Sequence, residues 1–321
     1  MKPLNIATIF SGIGAFEEML KQENIPHKVL FACDNDKFVK QSYQANHECG
    51  EWYEDVTTLD GTPHRGKVDV FVGGSPCQSF SRAGLQRGFE DTRGTLFYEF
   101  ARLVKEIQPK VFIYENVKGL LSHDKGETFK TILATFDELG YSYSYKVLNA
   151  VDYGIPQKRQ RLFVVGFLDD SIGFDESLFN NIKNKSFKFP EPIKLNKTVF
   201  DFLIPEDEAK AFVISDKMRD FIMRPHTFNK NPEIDRDIAV CLLATQANGK
   251  RASQGNYYTL GDKVRKLSPR ECLRLMGFGD DFVQVVSNSQ LYKQTGNSIV
   301  VNVLKHLFDS IIATDVFSDL E

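Results

Sequence analysis

"VDVFVGGSPC", residues 68–77, runs apolar and β-branched positions into two glycines and then a cysteine held between proline and glutamine. A run of this kind closed by glycines reads as a short buried strand ending in a turn. The same unit recurs on either side. "LNIATIF" is followed by the helix-like "AFEEMLKQ", "KVLFAC" by "KFVKQSYQ", VDVFVGG by "TLFYEFARLVKEI", and "VFIYENV" by "TFKTILATFDELG". Strands alternating with helices imply an α/β protein with a doubly wound, mostly parallel sheet. "SYSYKVLNA" and "RLFVVGF" are expected to extend that sheet. Ligands of such sheets bind outside the carboxyl ends of the strands, so chemistry is sought in the residues that follow each run.

The 321 residues, 42% of them hydrophobic, are enough to bury a large core. Five cysteines (33, 49, 77, 241 and 272) without close C-x-x-C pairs argue against a disulfide framework and a zinc site. No signal-like apolar run opens the chain and no stretch reaches the ~18 apolar residues of a membrane span, so a cytoplasmic protein without membrane contact is expected. The net charge of −3 carries no global nucleic-acid signature. Locally, Lys250, Arg251, Lys263, Arg265, Lys266, Arg270 and Arg274 face only Asp262 and Glu271, a surplus of +5 that is either a solvated face or an anion-binding one. After Phe167 the rhythm is lost, so a second, smaller and irregular domain is expected over 189–292. Residues 1–188 and 293–321 would form the first domain. In the latter stretch Ile299, Val303, Leu304, Leu307, Phe308 and Ile311 recur at helical spacing and should pack back on the sheet.

Taken one by one, the strand ends carry polar chemistry. Gly12 and Gly14 in "FSGIG" permit a tight turn and close approach of a ligand. Glu17 and Glu18 in the following helical turn would repel a pyrophosphate, which favours a nucleoside without phosphates over a dinucleotide. Asp34 closes the second run where such folds place an acid for ribose hydroxyls, and Asp55 stands near a third end; either is ordinarily a turn or helix cap. Cys77 follows VDVFV and Glu115 follows VFIY, so parallel strands would carry a thiol and a carboxyl group to one sheet edge. A lone cysteine is ordinarily a small buried hydrophobe; the neighbouring acid is what argues for more. Arg159 and Arg161, two apart at the start of a strand, project to the same face and can hold a carboxylate, a phosphate or a carbonyl oxygen.

The ordered blocks FSGIG, "SPCQSFS", "FEDTRGTLFYE", "YENVKG", "DYGIPQKRQRLFVVGF", "RKLSPRECLRLMGF" and "QTGNSIVVNV" closely resemble those of bacterial DNA (cytosine-5) methyltransferases of restriction-modification systems, over nearly the whole chain except about 170 to 260. The resemblance implies an S-adenosylmethionine-dependent methyltransferase fold with a target-recognition domain, and no metal. It implies that Cys77 adds to C6 of a cytosine flipped out of duplex DNA, making C5 reactive towards a methyl group. Glu115 would hold the ring in its protonated form, with Asn116 orienting that loop and touching DNA, and Arg159 and Arg161 at the base's O2. Phe10, Gly12, Gly14, Asp34, Asn35, Asp55, Pro76, Leu96, Asn297 and Ser298 would form the cofactor site. Residues 79–94 resemble the family's mobile loop, with Gln78, Ser81, Arg82 and Arg87 on the DNA.

In the least matched stretch Gln246, Asn248, Gln254 and Asn256 are the candidate base readers, and Lys250 and Arg251 the candidate phosphate contacts. Arg265 and Arg270 would instead brace the domain junction. The expected partner is double-stranded DNA with a short specific site, met by a monomer, alongside a cognate restriction endonuclease. Several positions depart from the family pattern. Asp34-Asn35 stands where glutamate and an aromatic residue are frequent, Ser75 where phenylalanine is, and Cys241-Leu242 where Thr-Leu is. A tRNA cytosine-5 methyltransferase, a nicotinamide oxidoreductase and a catalytically silent DNA-binding homologue stay open as alternatives at this point.

Overall fold

The computed structural model describes residues 2–75, 96–168, 172–174, 185–224, 233–246, 252 and 255–320. Its main sheet is built from β1 (Leu4–Ile9), β2 (His27–Cys33), β3 (Glu51–Tyr53), β4 (Val70–Gly73), β5 (Val111–Val117), β6 (Ser142–Asn149) and β8 (Gln160–Phe167), with β7 (Gln157–Lys158) preceding the last. The order across the sheet is β3-β2-β1-β4-β5-β8-β6. β1 to β5 are parallel, whereas β8 runs antiparallel to both β5 and β6. The two added strands therefore extend the sheet as expected, but as an antiparallel edge, because the short connection from Asn149 to Gln160 is too brief for a crossover helix. Between β1 and β4 the strand order reverses, which opens a crevice at their carboxyl ends.

Strand alternation divides the core into two layers. Leu4, Ile6, Val70, Val72, Ile113 and Val165 face a layer containing α1 (Ala15–Gln22) and α9 (Val301–Ile312). Ala7, Ile9, Phe71, Phe112, Tyr114 and Val164 face the other, with α3 (Leu96–Ile107) and α4 (Glu127–Glu138). Successive residues on one strand pointing to opposite layers are what a sheet covered on both sides requires. α2 (Lys37–Gln44) follows β2. α9 packs on α1, with Phe308 edge-on to Phe16 at 5.4 Å, as its apolar spacing predicts; it starts at Val301, so Ile299 precedes it.

The irregular stretch holds short elements: β9 (Ile172–Phe174) beside β10 (Lys185–Phe187), α5 (Glu206–Ala209), α6 (Asp216–Ile222), and β11 (Ala239–Val240) beside β7. A hairpin of β12 (Tyr257–Leu260) and β13 (Lys263–Lys266) turns at Gly261, whose φ of 60° suits glycine. α7 (Pro269–Arg274) and α8 (Asn288–Asn297) lead back to α9. Leu267, Leu273, Met276 and Phe282 share the core layer of α1 and α9, although they lie in the stretch expected to form the second domain. No helix among the described residues is long and apolar enough to cross a membrane.

One buried ion pair organises the return. Arg265 and Glu271 meet through two 2.8 Å bonds, and Glu271 also accepts the Ile204 and Ser268 N–H groups. With both side chains shielded, removing the acid strands a buried guanidinium. Glu271→Ala should lower stability by about 3 kcal/mol or more. By contrast, Lys130→Ala, which breaks the exposed Lys130–Glu127 pair, should cost under about 0.5 kcal/mol. Urea denaturation of the two variants checks the difference, and equal midpoints would contradict it.

Candidate active site

The carboxyl ends of β1, β2, β4 and β5 surround a cleft of about 930 Å³, within the usual range for a small-molecule site. The chain leaves β1 through Phe10, which takes a φ of 51° that a bulky side chain rarely adopts, and Gly12 follows at 55°. Ser11 fastens this turn to β2 through hydrogen bonds with the backbone of Cys33. Asp34 lies just past β2, where its two carboxylate oxygens accept the N–H groups of Gly12 at 3.1 Å and Asp36 at 3.0 Å. Burial raises its pKa, and those two bonds work against the rise. Asp55 closes an exposed turn by accepting the N–H and hydroxyl of Thr57. Phe10, Val39 and Leu96 supply apolar wall beside these acids. The mix of apolar surface and hydroxyl-accepting carboxylates suits a nucleoside.

At the other end of the cleft stands Glu115. β5 continues through it to Val117, so the acid lies inside the strand rather than after it. Its Oε1 is 3.2 Å from Arg161 Nε. Burial raises the Glu115 pKa, with Arg161 and then Arg159 opposing the shift. β4 leaves the sheet directly over this group: a Cβ on Gly74 would sit 2.8 Å from Glu115 Oε2 and 2.9 Å from its carbonyl oxygen. Ser75, next along, is clamped. Its hydroxyl shares a 2.7 Å hydrogen bond with Tyr114, and its carbonyl accepts Asn116 Nδ2, which also donates to Tyr114 OH. A serine at that position thus answers the buried Tyr114 hydroxyl alongside Asn116. Cys77 itself lies outside the described residues.

A family model for C-5 cytosine-specific DNA methylase matches residues 4–313. The chain belongs to this family. Type II methyltransferase M.HhaI of Haemophilus parahaemolyticus is 39% identical over 322 residues, covering 95% of this chain and 93% of that one. M.SsoII of Shigella sonnei is 36% identical over 318 residues, covering 95% and 79%. Among solved structures, the S. pombe Dnmt2 methyltransferase aligns with a TM-score of 0.75 at 19% identity over 97% of this chain and 98% of that one, a likeness of fold. The protein is thus a DNA cytosine-5 methyltransferase that uses S-adenosylmethionine, and the nicotinamide oxidoreductase alternative falls.

Seen on this methyltransferase, the expected cofactor residues divide. Phe10, Gly12, Asp34, Asn35, Asp55, Leu96 and Asn297 line the cleft. Gly14 and Ser298 do not. A Cβ on Gly14 would strike the His47 ring at 2.4 Å, so this glycine serves helix packing, and Ser298 turns its carbonyl to Arg159. Pro76 lies outside the described residues, as do Gln78, Ser81, Arg82 and Arg87. Glu17 and Glu18 are buried away from the cleft, Glu17 accepting Thr8 and Tyr43 hydroxyls, so the expected repulsion of a ligand's phosphates does not arise from them. Lys293, Asp36 and Glu54 line the cleft and were not anticipated; nothing in their local spacing marks them, because folding alone brings them together.

Both strand-start arginines line the cleft, yet they act differently. Arg161 engages Glu115. Arg159, 3% exposed, donates from Nη1 to Leu242 O at 2.8 Å and from Nη2 to Gly296 O at 2.9 Å and Ser298 O at 2.7 Å, with Cys241 Sγ at 3.4 Å. Burial pulls its pKa down to about 10, so it stays charged at neutral pH. Much of the basic stretch is likewise engaged inside the protein. Arg265 pairs with Glu271, Arg270 donates to Gly279 O and Phe282 O, and Arg274 pairs with Asp280. Gln246 turns its amide nitrogen to Tyr292 O and Thr295 Oγ1, and Asn256 brackets the backbone of Val240. Asn248, Lys250, Arg251 and Gln254 lie outside the described residues.

Because Arg161 opposes the rise in the Glu115 pKa, Arg161→Met should move Glu115 titration to still higher pH. A carboxyl-carbon NMR titration of labelled protein checks this, and an unchanged or lower midpoint would contradict it.

Proposed function

We propose that the methyltransferase extrudes its target cytosine from duplex DNA and activates it through a transient bond from Cys77 to C6. The observation that carries this reading is the Glu115–Arg161 pair, largely shielded from solvent and lying against Gly74, three residues before Cys77 in the chain. A stacked base cannot offer its C6 face to a thiol, so extrusion is required. The Cys77 thiolate adds to C6, and electron density moves to C5 and towards N3, where the protonated Glu115 meets it. When bound, S-adenosylmethionine supplies an electrophilic methyl group. Phe10, Asp34 and Asp55 hold its nucleoside portion. Loss of the C5 proton and expulsion of the Cys77 thiolate then restore the aromatic ring. Arg161 fixes the carboxyl group of Glu115, and Arg159 acts on the base through the segments it ties together.

The substrate in this reading is a short specific site in double-stranded DNA, met by a monomer in the cytoplasm. The relatives' designation as Type II methyltransferases supports a cognate restriction endonuclease acting at that site. Since burial raises the Glu115 pKa, its protonated form persists to higher pH than for a free glutamate, and turnover should fall as pH rises through that folded value.

Cys77→Ser should abolish the covalent complex with DNA containing 5-fluorocytosine, read on a denaturing gel; a persisting adduct would falsify the assignment. Glu115→Gln should retain cofactor binding while slowing methylation by ~10² or more, and normal turnover would remove Glu115 from the mechanism. Bisulfite sequencing of DNA from expressing cells reads the target, where methylation scattered without a common site would sink the specificity.

A further inference from the structure

The returning segment sends one cation to the acidic mouth of the cleft. Lys293 on α8 lies 2.7 Å from Asp36 Oδ2, and both residues line the cleft. Asp36 is already fixed on its other side: Oδ1 accepts the Phe38 and Val39 N–H groups and so caps α2. Its own N–H donates to Asp34 Oδ1, and Asp34 Oδ2 accepts the Gly12 N–H. One string of polar contacts thus runs from α8 through the first turn of α2 to the carboxylate after β2 and the turn after β1. The other charged groups lining this end are Glu54 and Asp55, and Glu54 is paired outward with Lys40. Glu115, Arg161 and Arg159 occupy the far end.

We propose that Lys293 is a positioning residue for S-adenosylmethionine, holding Asp36 and through it the Asp34 carboxylate in the orientation that receives the cofactor's sugar hydroxyls. It also offsets repulsion between the Asp34 and Asp36 carboxylates, which both follow β2, and those of Glu54 and Asp55 after β3. Lys293 reaches across 257 residues of sequence, so the cofactor site is completed only when α8 has returned to the sheet. The half-exposed lysine makes a modest contribution to stability, and its effect is to be read in binding. The inference rests on assigning this cleft to the cofactor.

Calorimetric titration of the full-length enzyme with S-adenosylhomocysteine tests it. Lys293→Met should weaken binding about fivefold and Lys293→Arg should restore it to within about twofold, as expected for a partly screened charge. Asp36→Asn keeps a capping oxygen for α2, so it removes the ion pair while leaving the helix start intact. The double variant Asp36→Asn/Lys293→Met should bind no more weakly than the weaker single one, because both break the same contact. Binding by Lys293→Met equal to wild type, failure of arginine to rescue, or multiplying effects would each overturn the role of Lys293. Wild-type-strength binding by Asp34→Ala, which removes the carboxylate itself, would overturn the cleft assignment. Loss of binding in Asp34→Ala with none in Lys293→Met would overturn the role of Lys293 alone, which separates the two failures.

Discussion

The Arg159 guanidinium is enclosed by the molecule, and its two terminal nitrogens donate to main-chain carbonyls, of Leu242 on one side and of Gly296 and Ser298 on the other, while the buried Nε has no hydrogen-bond partner among the described residues. A charge cannot be withdrawn from water unless such partners are supplied, so these remote segments must be in place before Arg159 can be buried. The requirement couples the start of β8, the stretch after β11 and the end of α8. It makes the closing of the chain on itself a condition of the cleft's existence, since α8 brings Lys293 and Asn297 to the wall. The planar fork of arginine suits this task better than lysine, whose point charge could not address several carbonyls at fixed angles.

The cleft has an acid at each end, and their environments differ. Burial raises the pKa of both; backbone N–H groups work against the rise at Asp34, and the Arg161 and Arg159 guanidiniums work against it at Glu115. The first arrangement suits accepting hydrogen bonds from hydroxyls; at the second, burial is what favours the protonated form and the guanidiniums oppose it. Gly74 permits the second, because any side chain there would collide with Glu115. Tyr114, Ser75 and Asn116 then fix the path of the chain as it leaves β4. The small polar residue that departs from the family's frequent phenylalanine is therefore accommodated by a hydroxyl partner on the next strand.

Much of the architecture was legible in order along the chain. Apolar runs alternating with helical faces specify strands and helices locally, and the right-handed crossover rule leaves parallel strands with their carboxyl ends on one edge. That is why Gly12, Asp34, Asp55 and Glu115 could be named from the strand pattern and do gather in one cleft. Antiparallel pairing at the β8–β6 edge was not legible, because a strand's pattern says which face is buried and nothing of its direction. Charge counted along the basic stretch likewise cannot tell a side chain locked on a carboxylate from one free to meet a phosphate; the family motif, not the count, set Arg265 apart as a brace, and Arg265 does meet Glu271.

The residues proposed to make the chemistry, Cys77, Glu115, Arg159 and Arg161, were singled out from local order along the chain, as was the core face of α9. Which partners those residues meet was settled by folding. Arg159 turned to carbonyls and Arg161 to Glu115, Gly14 accommodated His47 instead of facing the cleft, and Lys293 crossed to Asp36. The division follows from range: periodicity and turn chemistry act over a few residues, whereas the buried charge of Arg159 is satisfied by carbonyls 83 to 139 residues away that only the packed chain brings within reach.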